Sequence, residues 1–85
     1  MNINLRFFAS VRETVGVSEE SLTLPAGVTT VGAVRELLAA RGGAWAEALA
    51  PRHTLRTAHN QVMCPADTEL SDDCEVAFFP PVTGG

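Results

Sequence analysis

The chain has 85 residues, 46% of them hydrophobic and 19% charged, the make-up of one small globular domain that buries about 60 to 65% of its unfolded surface. A net charge of -4, with arginine as the only basic side chain apart from two histidines, argues against a nucleic-acid backbone as partner, because that needs clustered cations. No apolar run approaches the roughly 18 residues of a membrane span, and the start lacks the basic flank and apolar stretch of a signal peptide, so no membrane and a cytoplasmic location are the expectations.

In chain order, "NINLRFF" alternates and predicts a half-buried strand with Ile3, Leu5 and Phe7 on one face and Asn4, Arg6 and Phe8 on the other. "ASVRETVG" predicts a short helix closed by Gly16. "SEESLTL" is weaker strand material, ended by the turn "PAG" at residues 25–27. Thr29 or Thr30 can cap a helix through "VGAVRELLAAR", whose Val31, Val34, Leu37 and Leu38 form an apolar stripe. Gly42 and Gly43 are expected to stop it, and "AWAEALA" predicts a second short helix with Trp45 and Leu49 on one side. Beyond Pro51, "HTLRTAH" and "QVMC" read as strands with a turn at Asn60, and "DTELSDDCEVAFF" as a loop entering a last strand.

Residues with chemistry of their own are few. Cys64 and Cys74 are too few and too far apart for a zinc site, and free cysteines commonly pack as small hydrophobes, so no metal is expected. His53 and His59 fall in predicted strands with no Ser, Cys or Asp arrangement that would make a nucleophile and its base. The domain is therefore expected to carry no catalytic machinery.

This order of elements predicts an α+β roll in which one mixed sheet covers one main helix, with short extra helices. The opening "RFFASVRETVG", the ending "LSDDCEVAFFPPVTGG" and the order of elements together resemble the small-subunit family of molybdopterin synthase, sulfur carriers with the ubiquitin-like β-grasp fold. The resemblance spans residues 1–85 as a single carrier domain, with 82–85 as a flexible C-terminal tail. It implies that the first and last strands are parallel neighbours in the middle of the sheet.

With that arrangement, strand parity sorts the last strand. If Val76 and Phe78 join Ile3, Leu5 and Phe7 under the helix, Phe8 and Phe79 point away from the core, side by side at the C-terminal ends of their strands. An exposed aromatic patch marks a binding surface. The resemblance agrees, implying that Phe8, Met63 and Phe79 pack against a large subunit; the competing expectation is that the first helix folds over Phe8.

Pro80 and Pro81 lack amide donors, so the sheet ladder stops there and the chain leaves stiff and extended. Val82, Thr83, Gly84 and Gly85 can reach about 13 to 14 Å further, and glycines let the walls of a slot approach the backbone closely. The resemblance implies the use of that reach. A ubiquitin-activating-type adenylyltransferase consumes ATP to form an acyl adenylate on Gly85, a persulfide sulfur replaces the AMP, and the resulting thiocarboxylate (1-thioglycine) gives its sulfur to cyclic pyranopterin monophosphate. Pro81 to Gly84 would be held by the partner, with no cofactor stably bound.

One departure from the family pattern is Asp72-Asp73-Cys74, where the family usually has Asp-Gly-Asp/Glu. Aspartate tolerates a left-handed backbone better than most residues, so the turn is expected to survive at a cost. Two other readings remain open at this point: a carrier of the thiamine-thiazole type, and a ubiquitin-like protein modifier. The absence of lysine fits a carrier, because an activated C-terminus has no side-chain amine of its own to acylate.

Overall fold

Ile3, Leu5 and Phe7 are buried while Asn2 and Asn4 are exposed, so the alternation of the first strand becomes the two faces of a sheet. The computed structural model describes residues 1–81. Its elements are β1 (Asn2–Phe7), α1 (Ala9–Val15), β2 (Glu19–Thr23), α2 (Val31–Ala39), α3 (Gly43–Ala48), β3 (Arg56–His59), β4 (Val62–Met63) and β5 (Glu75–Phe79).

The sheet runs β2-β1-β5-β3-β4. β1 and β5 are parallel, with Asn4 opposite Glu75, Leu5 opposite Val76 and Phe7 opposite Phe78, and every other pairing is antiparallel. The expected parallel pair therefore lies inside the sheet, and the fold is the ubiquitin-like β-grasp. Registry puts Ile3, Leu5, Phe7, Val76 and Phe78 on one face, where they meet Val31, Val34 and Leu38 of α2 in a single core. Phe7 stacks on Phe78 and receives the edge of Trp45, with ring centroids 6.5 Å and 5.4 Å away. Such aromatic pairs add about 0.5 to 1.5 kcal/mol beyond the area they bury.

Thr30, not Thr29, caps α2: its side-chain oxygen accepts from the Ala33 amide at 3.2 Å. The Val31 and Gly32 amides donate to Thr68 and Ala66 carbonyls instead, so the first turn of the helix is tied to the loop before β5. Val31, Val34 and Leu38 are buried as the stripe requires, whereas Leu37 is only half-buried at its margin. Arg35 leaves the helix as a clamp. Its guanidinium donates to the carbonyls of Leu49 (2.9 Å), Ala50 (2.6 Å) and His53 (2.9 Å), satisfying a chain segment that no strand could.

Several boundaries differ from the sequence expectation, three of them for an evident local reason. α2 ends at Ala39, before the glycine pair; Gly42, at φ 77°, instead caps α3, redirecting the chain so that Trp45 returns to Phe7. The strand expected from His53 begins only at Arg56, because the His53 amide closes a turn on Ala50 and Arg35 holds the carbonyls there. Gln61 belongs to the hairpin turn: Asn60 and Gln61, at φ 49° and 68°, form the two-residue loop that joins β3 to β4. Asp73 does adopt a left-handed backbone, φ 62°, and its amide donates to the Asn2 carbonyl, so the turn before β5 survives the loss of the usual glycine.

Candidate functional site

The face of the sheet away from the helices holds the candidate site. Cross-strand registry arranges its side chains in rows, one of which is Glu19, Arg6, Ala77, Ala58 and Met63 across all five strands. The next row toward the C-terminal ends of β1 and β5 contains Phe8, Phe79 and Arg56. Phe8 stays uncovered because the chain reverses at once: Ala9 takes φ 51°, and α1 then turns to the helix side, where Val11 is buried and the helix packs against α3. Phe8 is 38% exposed, so the expectation that the first helix folds over it is not met.

Phe8 and Phe79 meet edge to face, with perpendicular rings and centroids 6.1 Å apart. Together with Ala9 and Pro80 they line an apolar depression of about 350 Å³ beside the point where β5 ends. The Arg6 guanidinium lies over the Phe8 ring at 5.5 Å, and is balanced by Glu19 and Glu75 at 3.9 and 3.8 Å. Met63 is exposed on the same face, but β3 separates its strand from β5, so it stands at the edge of the patch rather than within the aromatic pair. Pro81, half-buried, is the last described residue. Val82, Thr83, Gly84 and Gly85, the predicted reach and reacting end, lie outside the described residues.

Elsewhere the surface offers less chemistry. A cleft of about 410 Å³ between α2 and the β3–β4 hairpin includes Val31, Thr57, Cys64 and Phe78; there the Cys64 sulfur is 3.8 Å from the Thr57 hydroxyl, and among the described residues no His, Asp or Glu lines the cleft. Cys74 is buried in the core as a filler, and Cys64 packs against the core's margin, both free. His53 is in a loop, its Nε2 3.9 Å from Glu47, and His59 lies half-buried in β3. Among the described residues no three His, Cys, Asp or Glu side chains converge as metal ligands, and no helix is long and apolar enough to cross a membrane.

Sequence reasoning did not single out Arg56 or Ala9. The alternation of "RTAH" could have placed Arg56 on the outer face with Ala58, but its neighbour Phe79 is set by strand order, which no local pattern contains. The positive φ of Ala9 had no signal, since alanine there gives no hint of a left-handed backbone.

A family model described as the ThiS family matches residues 5–85. Two curated relatives bear the name molybdopterin synthase sulfur carrier subunit. One, from Escherichia coli, is 46% identical over 83 residues, and the other, from Haemophilus influenzae, is 43% identical over 83 residues; each alignment covers 98% of this chain and 99% of the relative. Among solved structures, a chain of the complex of subunits 1 and 2 of the molybdopterin-converting factor from Helicobacter pylori is 21% identical. It has a TM-score of 0.68 with 100% of both chains covered, a likeness of fold.

Proposed function

The chain belongs to the ThiS family, and from that premise we propose that it is the sulfur carrier subunit of a molybdopterin synthase. The observation that carries this reading to particular residues is the Phe8–Phe79 pair, exposed at Phe8 and half-buried at Phe79, beside the exit of β5 into Pro80 and Pro81. An apolar patch there gives a partner a firm hold on the domain while the following residues extend into it.

The chemistry belongs to the Gly85 carboxylate. A carboxylate is a poor electrophile until it bears a leaving group, so an adenylyltransferase of the ubiquitin-activating type joins it to AMP from ATP, releasing pyrophosphate. The terminal sulfur of a persulfide displaces the AMP to give an acyl disulfide, and a second thiol cleaves its S–S bond, forming a disulfide with the donor's remaining sulfur and releasing the glycyl thiocarboxylate. Within the synthase the large subunit holds Pro81 to Gly84 in a slot, and the thiocarboxylate sulfur, soft and nucleophilic at neutral pH like a thiolate, passes to cyclic pyranopterin monophosphate. Water then cleaves the acyl–sulfur bond, leaving the sulfur on the pterin and returning Gly85 as a carboxylate. In this reading the chain is one carrier domain over residues 1–85. It works in the cytoplasm, holds no cofactor and supplies no catalytic side chain of its own.

Phe8, Met63 and Phe79 form the surface for the large subunit, a partnership of the kind named for the Helicobacter pylori proteins. Co-purification tests the assignment. The carrier should form a stable complex with a molybdopterin synthase large subunit and none with a thiazole synthase; the reverse preference would move it to the thiamine-thiazole pathway.

A further inference from the structure

Four of the six arginines are engaged within the domain. Arg6 is held by Glu19 and Glu75, Arg35 by three carbonyls, Arg41 by Glu20 and the Trp45 ring, and Arg52 by Glu47. The other two, Arg12 and Arg56, are exposed and make no ion pair or side-chain hydrogen bond among the described residues. Arg56 is the direct cross-strand neighbour of Phe79, and Arg12 lies one helical turn past Phe8, its amide donating to the Phe8 carbonyl. Arg12 belongs to α1, which turns to the helix side of the sheet, so of the two Arg56 is the one on the face that carries the patch. No acidic side chain shares the row of Arg56, where its neighbour is Phe79, while Asp72, Asp73 and Glu75 gather at the opposite end of β5.

Resting on the reading that a large subunit seats on Phe8 and Phe79, we propose that Arg56 is a specificity-determining charge for that docking. Its partner is a large subunit whose apolar socket carries a carboxylate on the rim facing β3. The argument is charge complementarity on a protein of net charge -4: an uncommitted cation beside the patch orients an otherwise acidic molecule so that its patch end meets the socket. Exposed rim charges of this kind act mainly on the association rate and lose their effect as salt screens them. A guanidinium also matches a carboxylate in two hydrogen bonds at once.

The test compares the full chain with Arg56→Gln and Arg56→Glu by stopped-flow association with the large subunit, at about 20 mM and about 500 mM salt. Arg56→Gln should associate about threefold more slowly and Arg56→Glu about tenfold more slowly at low salt, with both differences vanishing at high salt and thermal melting unchanged. Association rates equal to the native protein's at low salt, or a loss that persists undiminished at high salt, overturn the role of Arg56. A native chain that does not bind the large subunit at all overturns the docking reading itself, which separates the two failures.

Discussion

Phe8 and Phe79 close against each other edge to face, from the ends of two parallel strands at opposite ends of the sequence, on the side of the sheet that the helices leave bare. Their neighbours in sequence, Phe7 and Phe78, are buried and stacked in the core. Each Phe-Phe pair is thus divided between the core and the open face of the sheet. Phe79→Glu should weaken large-subunit binding by about 2 kcal/mol or more, roughly thirtyfold, if Phe79 is an anchor. Melting temperature should fall by only about 4 to 8 °C, the equivalent of about 1 kcal/mol for a domain of this size. Phe78→Ala, which empties a core site, should cost about 3 to 5 kcal/mol of stability. Titration calorimetry and thermal melts on the same samples decide between these profiles; unchanged affinity in Phe79→Glu would refute the assignment of that face.

Left-handed backbone at Gln61 and Asp73 predicts that glycine is better at both positions. Gln61→Gly should stabilise the domain by about 0.5 to 1 kcal/mol, and Asp73→Gly by less, because aspartate tolerates this conformation. The turn contact from Asp72 to the Asn2 amide is made by a different side chain and remains. Urea midpoints at constant slope measure both changes.

Arg35 ties α2 to the segment after α3 through three carbonyls, and its partial burial lowers its pKa from the ordinary arginine value without discharging it. Arg35→Met keeps the aliphatic stem but leaves those carbonyls without their charged donor. It should cost about 2 to 3 kcal/mol, a drop in melting temperature of about 10 to 20 °C. Arg35→Lys should recover only part of this, since one ammonium cannot reproduce the fork.

Glu20 is paired with both terminal nitrogens of Arg41, at 3.0 and 2.5 Å, and the hydrogen bond from Arg41 holds its carboxyl below the ordinary glutamate value. A lowered folded-state pKa adds stability above the unfolded carboxyl's titration range, and that stability is lost as pH falls through the folded value. Glu20→Gln should therefore cost about 0.5 kcal/mol near pH 6, a modest amount because solvent screens the pair. The difference should shrink as pH falls below the ordinary glutamate range and vanish once the native carboxyl is itself protonated. Denaturation curves of the two proteins across that range give the comparison.

Most of the fold was legible because its signals are local. Alternation in β1, the Thr30 cap, the stripe of α2 and Gly16 each mark one element and one face. Partnership between β1 and β5 was not local, and came from resemblance to a family; parity then placed Phe8 and Phe79. The residues that escaped notice are those whose roles depend on distant backbone. His53 lies outside β3 because of Arg35, a helix away in sequence, and Arg56 meets Phe79 through strand order alone. Gly42 was correctly seen as a break, but its capping of α3 depends on where Trp45 must go.

Sulfur on Gly85 is the central claim, and the mass of the chain tests it most directly. The purified carrier, incubated with its activating enzyme, ATP, a persulfide donor and a thiol reductant, should gain the mass of one oxygen replaced by sulfur, located by fragmentation at Gly85. Adding the large subunit and cyclic pyranopterin monophosphate should return it to the carboxylate, and a chain lacking Gly85 should melt like the native protein yet take up no sulfur. A chain whose mass does not change, or whose sulfur is found on Cys64 or Cys74 with Gly85 unmodified, would contradict the account.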